Sequence, residues 1–274
     1  MSRESNIKVF EDTKKYFDKL SDEIKYSEEN TEIILENDEL DSNEGTNGLD
    51  VELIESKTFD AARKYSGHIA VLNFASATTP GGGVLKGAAA QEECLCRCST
   101  LYPIISNEKC FNEFYNQHRE NLNALHNNDI IWTPDVVVIK DDSYRLLPEN
   151  KWKKISVITC AAPNLRNKNA DMFNIDKSLD REISAKELFD IHVKRAKRIF
   201  QVADTMNVDV LVAGAFGCGA FKNNPSIIAD AWKNATQEFK SVNLKKVVYA
   251  IWDNPYTFNY KAFERVFNRI DDER

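Results

Sequence analysis

The chain has 274 residues, 42% of them hydrophobic, with ten glycines, seven prolines and a formal net charge of -7. This composition excludes disordered and fibrous proteins and suits one large α/β unit or two small ones. The acidity is local: residues 21–50 hold eleven acids against one base, Lys25, and the rest has 35 bases and 32 acids. A body so close to neutral could hold a small anionic ligand, but it lacks the cationic surface of a broad nucleic-acid binder.

The opening MSRESNIK lacks a signal-peptide apolar core. The longest apolar run, Val210 to Phe221, is too short to span a membrane. Six cysteines without a secretory signal read as free thiols in a reducing compartment, so the expected location is cytoplasmic.

In chain order, Val9, Phe10, Tyr16, Phe17 and Leu20 recur at helical spacing over residues 6–20. Thr31 to Leu35 reads as a strand, and the acidic run to Asp50 as an exposed loop. Asp41 to Glu52 is no calcium loop, because Gly45 falls one place early. Val51 to Ile54 alternates as a strand, Thr58 to Tyr65 reads as a short helix, and Ile69 to Phe74 as a strand. Pro80 and the triplet Gly81-Gly82-Gly83 follow, then a helical run from Gly87 carrying Gln91-Glu92-Glu93 in its opening turns.

Asn107 to Leu125 is a second helical run. Ile130 to Trp132 and Val136 to Ile139, on either side of Pro134, are two strands or one bent strand. Ile155 to Cys160 is a strand, and residues 165–184 read as a polar loop where a lid would sit. Ala185 to Met206 is a long helix and Val208 to Ala213 a strand running into GAFGCGAF. Asn224 can cap, and Pro225 open, the next helix. Lys245 to Trp252 is the last strand and Thr257 to Ile270 the last helix. Strands alternating with helices, without a repeat or linker, give one α/β domain over residues 51–274. Residues 1–50 form an N-terminal helical extension with an acidic loop.

Two glycine loops carry the chemistry. A glycine triplet alone could be a flexible turn; QEE eight residues on suggests a backbone brought close to a ligand. GAFGCGAF offers consecutive backbone N–H groups before a helix, a cradle for a diphosphate, yet fits neither GxGxxG nor a P-loop. Neighbours on a helix point about 100° apart, so Glu92 and Glu93 suit different tasks. They also suit plain solvated acids favoured by the helix dipole. Cys94, Cys96 and Cys98 have poor geometry for zinc, and Cys218 has no histidine near it in sequence to activate it. Phe216 and Phe221 could pack on a sugar or base, or anchor the core.

LNFASATTPGGGVLKGAAAQEECLCRCSTLY together with GAFGCGAF resembles the microbial branch of the poly(ADP-ribose) glycohydrolases, whose catalytic domain is a macrodomain. TCAAPN at Thr159 to Asn164 and VVYAIWD at Val247 to Asp253 also look like strands of that family. The likeness covers roughly residues 51–267. It implies a macrodomain-like mixed β-sheet flanked by helices and hydrolysis of ribose–ribose O-glycosidic bonds to release ADP-ribose. The implied ligands are ADP-ribose, poly(ADP-ribose) or ADP-ribosylated macromolecules, with no membrane partner.

Carried over by residue, the resemblance makes Glu93 the acid/base and places Glu92 on a hydroxyl of the scissile ribose. No metal or other cofactor is required, because a carboxylate can stabilise the oxocarbenium-like state itself. Gly81, Gly82 and Gly83 would approach the terminal ribose and diphosphate, with Gln91 supporting the loop. Ala215, Phe216, Gly217, Cys218, Gly219 and Ala220 would hold the diphosphate, and Phe221 would position the ribose. Asn73 is a further ribose contact and Asn164 a weaker one. One departure concerns adenine: many macrodomains read it with an Asp after an early strand, where this chain has Glu55-Ser56-Lys57-Thr58. The acidic segment would repel a polyanion if it lay at the mouth. That leaves room for a mono-ADP-ribosyl hydrolase acting on modified protein or nucleic acid; a non-catalytic ADP-ribose-binding module is a separate alternative, against which the intact QEE argues.

Overall fold

The computed structural model describes residues 1–40, 45–166, 182–253 and 257–268. Most of the expected 165–184 loop, and the end of the last expected helix, lie outside them. Seven strands form one sheet: β1 (Glu32–Ile34), β2 (Asp50–Ile54), β3 (Ile69–Phe74), β4 (Ile130–Val138), β5 (Lys153–Cys160), β6 (Val210–Ala213) and β7 (Lys246–Ala250). Their order is β1-β4-β5-β3-β6-β7-β2. The five from β5 to β2 are mutually parallel, and β4 runs antiparallel to both β5 and β1.

Ten α-helices accompany the sheet among the described residues: α1 (Arg3–Lys14), α2 (Ser21–Glu29), α3 (Thr58–Ala62), α4 (Gln91–Cys98), α5 (Leu101–Ile105), α6 (Glu108–Cys110), α7 (Asn116–Asn121), α8 (Ala185–Thr205), α9 (Pro225–Glu238) and α10 (Asn259–Phe267). Alternation along each strand sends side chains to two opposite cores. In β3, Ala70 and Leu72 join α8, α9 and α10, whereas Ile69 and Val71 join α1 to α5. The result is a three-layer α/β/α fold with a mixed sheet.

The structure corrects several expectations. The helix expected over 6–20 stops at Lys14, and a second helix, α2, begins at Ser21 inside the acidic stretch and buries Ile24 and Ser27. The helical run expected from Gly87 begins only at Gln91, because Gly87 sits at φ 73 and closes a 3₁₀ turn over Val84–Lys86. Around Pro134 there is one bent strand, with a register shift between Thr133 and Val136 and Asp135 at φ 53. The N-terminal segment is built into the body. β1 extends the sheet through β4, Asn6 Nδ2 donates to Gly87 O at 3.0 Å, and the buried Lys140 ammonium binds Val9 O, Thr13 Oγ1 and Asp12 of α1.

Candidate active site

The carboxyl ends of the parallel strands open at one edge of the sheet, where α/β folds place their ligand crevices. β3 leads into the glycine triplet, β6 into GAFGCGAF, β7 into Trp252 and β2 into Ser56-Lys57. Gly81 and Gly82 take successive left-handed conformations, φ 64 and 56, which L side chains rarely adopt. The turn they make folds back onto the start of α4. Gly83 N–H donates to Glu93 Oε1 at 2.8 Å. A Cβ at Gly82 would stand 2.6 Å from that oxygen and 3.0 Å from Glu92 Oε2. Both carboxylates thus converge under Gly82, although their helical positions diverge.

Glu92 and Glu93 are 2% and 6% exposed. Glu92 accepts from Ser76 N–H at 2.8 Å and from Asn73 Nδ2 at 3.3 Å. Burial, then the negative charge of Glu93, holds the Glu92 carboxyl well above the usual carboxylate range; the bonds from Ser76, Asn73 and Gly81 oppose them only in part. Two buried acceptors at this spot, Glu93 Oε2 and Asn73 Oδ1, have no donor among the described residues. Buried polar atoms normally find a partner. Gln91 is used differently: its Oε1 accepts from Phe74 N–H at 2.9 Å and its Nε2 donates to Leu72 O at 2.8 Å and Thr58 Oγ1 at 3.2 Å. It fastens α4 to the end of β3.

The second loop is held from behind by Asn223, which the sequence reading missed beside the expected cap Asn224. Asn223 Nδ2 lies 2.7, 3.1 and 3.2 Å from the carbonyls of Pro163, Gly217 and Phe221. Its Oδ1 accepts from His192 Nε2 at 2.9 Å, a tautomer fixed by Trp232 Nε1 donating to His192 Nδ1 at 3.5 Å. Burial, with the positive charge of Arg195, pushes the His192 imidazole down to about 3, against the opposing Asn223 bond. Gly217, at φ 80, leaves no room for a Cβ, which would meet Ala162 Cβ at 2.7 Å. Phe216 proves to be a core anchor: its ring is fully buried and packs edge-on against Phe74, His192 and Trp232.

A cavity of about 850 Å³ runs along this edge. Gln91, Ala215, Phe216, Gly217, Gly219, Ala220 and Phe221 line it, as do Ser56, Lys57, Thr58, Asp142, Tyr144, Trp252 and Asn259. Glu55 of the stretch expected to read adenine is not among the lining residues. Asn73, Gly81, Gly82, Gly83, Glu92, Glu93 and Cys218 are not among the lining residues, although their chain neighbours Phe74, Gln91, Cys94, Gly217 and Gly219 are. The Cys218 thiol, half-buried, is pushed up by burial. Asn164 is buried at the mouth of β5, with its N–H on Ala124 O. Arg119 Nε donates to Thr78 O at 2.5 Å just before the triplet, a tie no local pattern announced. Trp252 was legible only as a lone aromatic ending a strand. No three His, Cys, Asp or Glu residues gather as metal ligands among the described residues.

Residues 6–141 match the family model for the microbial-type PARG catalytic domain, PARG being poly(ADP-ribose) glycohydrolase. The poly(ADP-ribose) glycohydrolase of Thermomonospora curvata has the same fold, with a TM-score of 0.79 and 26% identity over 96% of this chain and 100% of that one. The chain belongs to the microbial-type PARG family. A second structure of the Thermomonospora curvata glycohydrolase, bound to the inhibitor ADP-HPD, matches at 27% identity and a TM-score of 0.77, covering 96% and 99% of the two chains. The Deinococcus radiodurans PARG in complex with ADP-ribose matches at 28% and 0.74, covering 89% and 96%. No curated protein sequence matches the chain. No helix among the described residues is long and apolar enough to cross a membrane.

Proposed function

We propose that this chain is a poly(ADP-ribose) glycohydrolase that cuts ribose–ribose O-glycosidic bonds and releases ADP-ribose, with Glu93 moving the proton. The observation that carries this reading is the state of the Glu93 carboxylate. One oxygen is fixed by Gly83 N–H, the other is buried without a donor among the described residues, and Gln91 and Cys94 on either side of the acid pair line a cleft that the second glycine loop also lines.

With the terminal ribose against the triplet, the C1–O bond breaks and its electron pair goes to the leaving oxygen, which takes the Glu93 proton. The oxocarbenium-like carbon is stabilised by the resulting carboxylate. Water then attacks C1 and returns a proton to Glu93. Glu92, raised by burial, binds a ribose hydroxyl together with Asn73. Backbone N–H groups between Ala215 and Ala220 take the diphosphate, and Phe221 sides with the ribose. The adenosine then occupies the far end, by Ser56, Lys57 and Trp252. Gln91 acts as a brace and does not touch the ligand.

A mono-ADP-ribosyl hydrolase is the second reading, motivated by the acidic segment. None of the described residues of 21–50 lines the cavity. Glu36 instead pairs with Lys194 of α8, and Arg198 holds the Leu35 and Asp38 carbonyls. The polymer reading is therefore better supported. Six unpaired cysteines suit a reducing, cytoplasmic setting. The test offers labelled poly(ADP-ribose) and a mono-ADP-ribosylated protein side by side. ADP-ribose release from the polymer is expected; release from the mono-modified protein alone would overturn the reading.

A further inference from the structure

Of the six cysteines, Cys94 is placed unlike the rest. Burial pushes the thiols of Cys96, Cys98, Cys110, Cys160 and Cys218 up, which keeps them protonated and inert. Cys94 is half-buried and lines the cavity one residue after Glu93. Its Sγ lies 3.0 Å from the Tyr144 hydroxyl and 3.7 Å from Arg97 Nη2. Arg97 is fully buried, its Nη1 donates to Ala88 O at 2.7 Å, and its guanidinium stands 5.2 Å from the centre of the Tyr144 ring. Arg97 Nη2 also donates to the Tyr144 oxygen at 3.2 Å, so that hydroxyl keeps its own proton for the sulfur. Burial, then Cys94, pushes the Tyr144 hydroxyl up, and it stays protonated there.

A second polar group opens into the same part of the cavity. Asn6 is 2% exposed and lines it. Its Nδ2 is taken by Gly87 O, and its Oδ1 has no donor among the described residues. Asn6, Arg97 and Cys94 reach three successive carbonyls, of Gly87, Ala88 and Ala89, the Cys94 contact being long at 3.9 Å. They therefore share one wall, and Ser143 and Tyr144 line the cavity with them. A buried carbonyl oxygen without a donor calls for an N–H or O–H from whatever fills the space. A cavity-facing thiol with two donors at its sulfur is set up as a nucleophile. Together they fit a small disulfide that carries amide groups.

We propose that Cys94 is a modification site at which a small peptidic disulfide exchanges, leaving a mixed disulfide whose amide N–H donates to Asn6 Oδ1 and whose bulk closes the cleft. Arg97 and Tyr144 hold the Cys94 thiolate, which attacks one sulfur of the disulfide; the new S–S bond forms as the old one breaks. The departing half leaves as a thiolate and takes up the proton that Cys94 released. Cys94 is thereby oxidised and the departing half reduced, so no further reagent is needed, and a small thiol reverses the step. The loss of hydrolysis rests on the glycohydrolase reading above; the adduct itself does not.

The experiment treats the native protein with glutathione disulfide and reads intact mass, a peptide map and ADP-ribose release from labelled polymer. Wild type should gain one glutathione, mapped to Cys94, and lose most of its release; dithiothreitol should reverse both. Cys94→Ser should gain none, and its release should be the same before and after treatment. Asn6→Ala should react about fivefold more slowly with glutathione disulfide. It should react at the wild-type rate with methyl methanethiolsulfonate, which has no N–H or O–H. No adduct in wild type, or one on another cysteine, overturns the site. An adduct on Cys94 with full release overturns the closure, and equal slowing of Asn6→Ala with both reagents overturns the amide contact. A wild type inactive before treatment instead removes the glycohydrolase reading, and the mass still decides the site.

Discussion

The two glycine loops look alike in sequence and are built for opposite purposes. The triplet turns inward: Gly82 and Gly83 press on Glu93, and the loop's shape is set by the carboxylates it covers. The GAFGCGAF loop turns outward: Asn223 and His192 hold it from behind, and its backbone lines the cavity. Glycine serves close approach to an acid in the first and open backbone in the second. Even within the second loop the glycines differ, since Gly217 is confined by Ala162 and Asn223 while Gly219 has nothing within 4 Å.

The sharpest way to break this contrast is Gly82→Ala. A methyl group 2.6 Å from Glu93 Oε1 at a left-handed φ should displace the carboxylate and lower kcat about a hundredfold. ADP-ribose affinity, measured by calorimetry, should change far less. Asn223→Ala should do the reverse, weakening ADP-ribose binding about tenfold by freeing two loop carbonyls, of Gly217 and Phe221, and that of Pro163, with a smaller effect on kcat. Equal losses of kcat and affinity in both variants would erase the distinction between the loops.

Thermal melts sharpen it within one loop. Gly217→Ala should cost about 1–2 kcal/mol for its positive φ, whereas Gly219→Ala should stay within about 0.5 kcal/mol. The smallest effect concerns pH. His192 titrates near 3 in the fold against an ordinary 6.5, so the unfolded chain takes up the proton first. Its contribution to stability is present above pH 6.5 and is lost as pH falls toward 3. The melting temperature should decline through that window, and His192→Gln should decline less steeply.

Both loops were legible because each motif is contiguous: Pro80 to Gly83 and Gly214 to Phe221 announce turns by residue type alone, and QEE follows at short range. The strands and α8 were legible from their periodicity. The supports were not. Asn6 reaches Gly87 across 81 residues, and Asn223 reaches Pro163 across 60. A single polar side chain that bonds so far along the chain leaves no local pattern. α2 was hidden for another reason: four acids in nine residues outweighed the one buried isoleucine that marks its inner face. Phe216 was ambiguous because a ring among small residues fits a ligand platform and a core anchor equally well. Only its neighbours Phe74, His192 and Trp232 decide between them.

The central claim is that Glu93 performs the proton transfer at a site bound independently by the outer loop. The most direct test is ADP-ribose release from labelled polymer by wild type and Glu93→Gln, with ADP-ribose binding measured on both. Wild type should release ADP-ribose, Glu93→Gln should lose about 10²–10⁴-fold of that release, and binding should be retained within a few-fold. Undiminished release by Glu93→Gln, with its fold and binding intact, would contradict the claim.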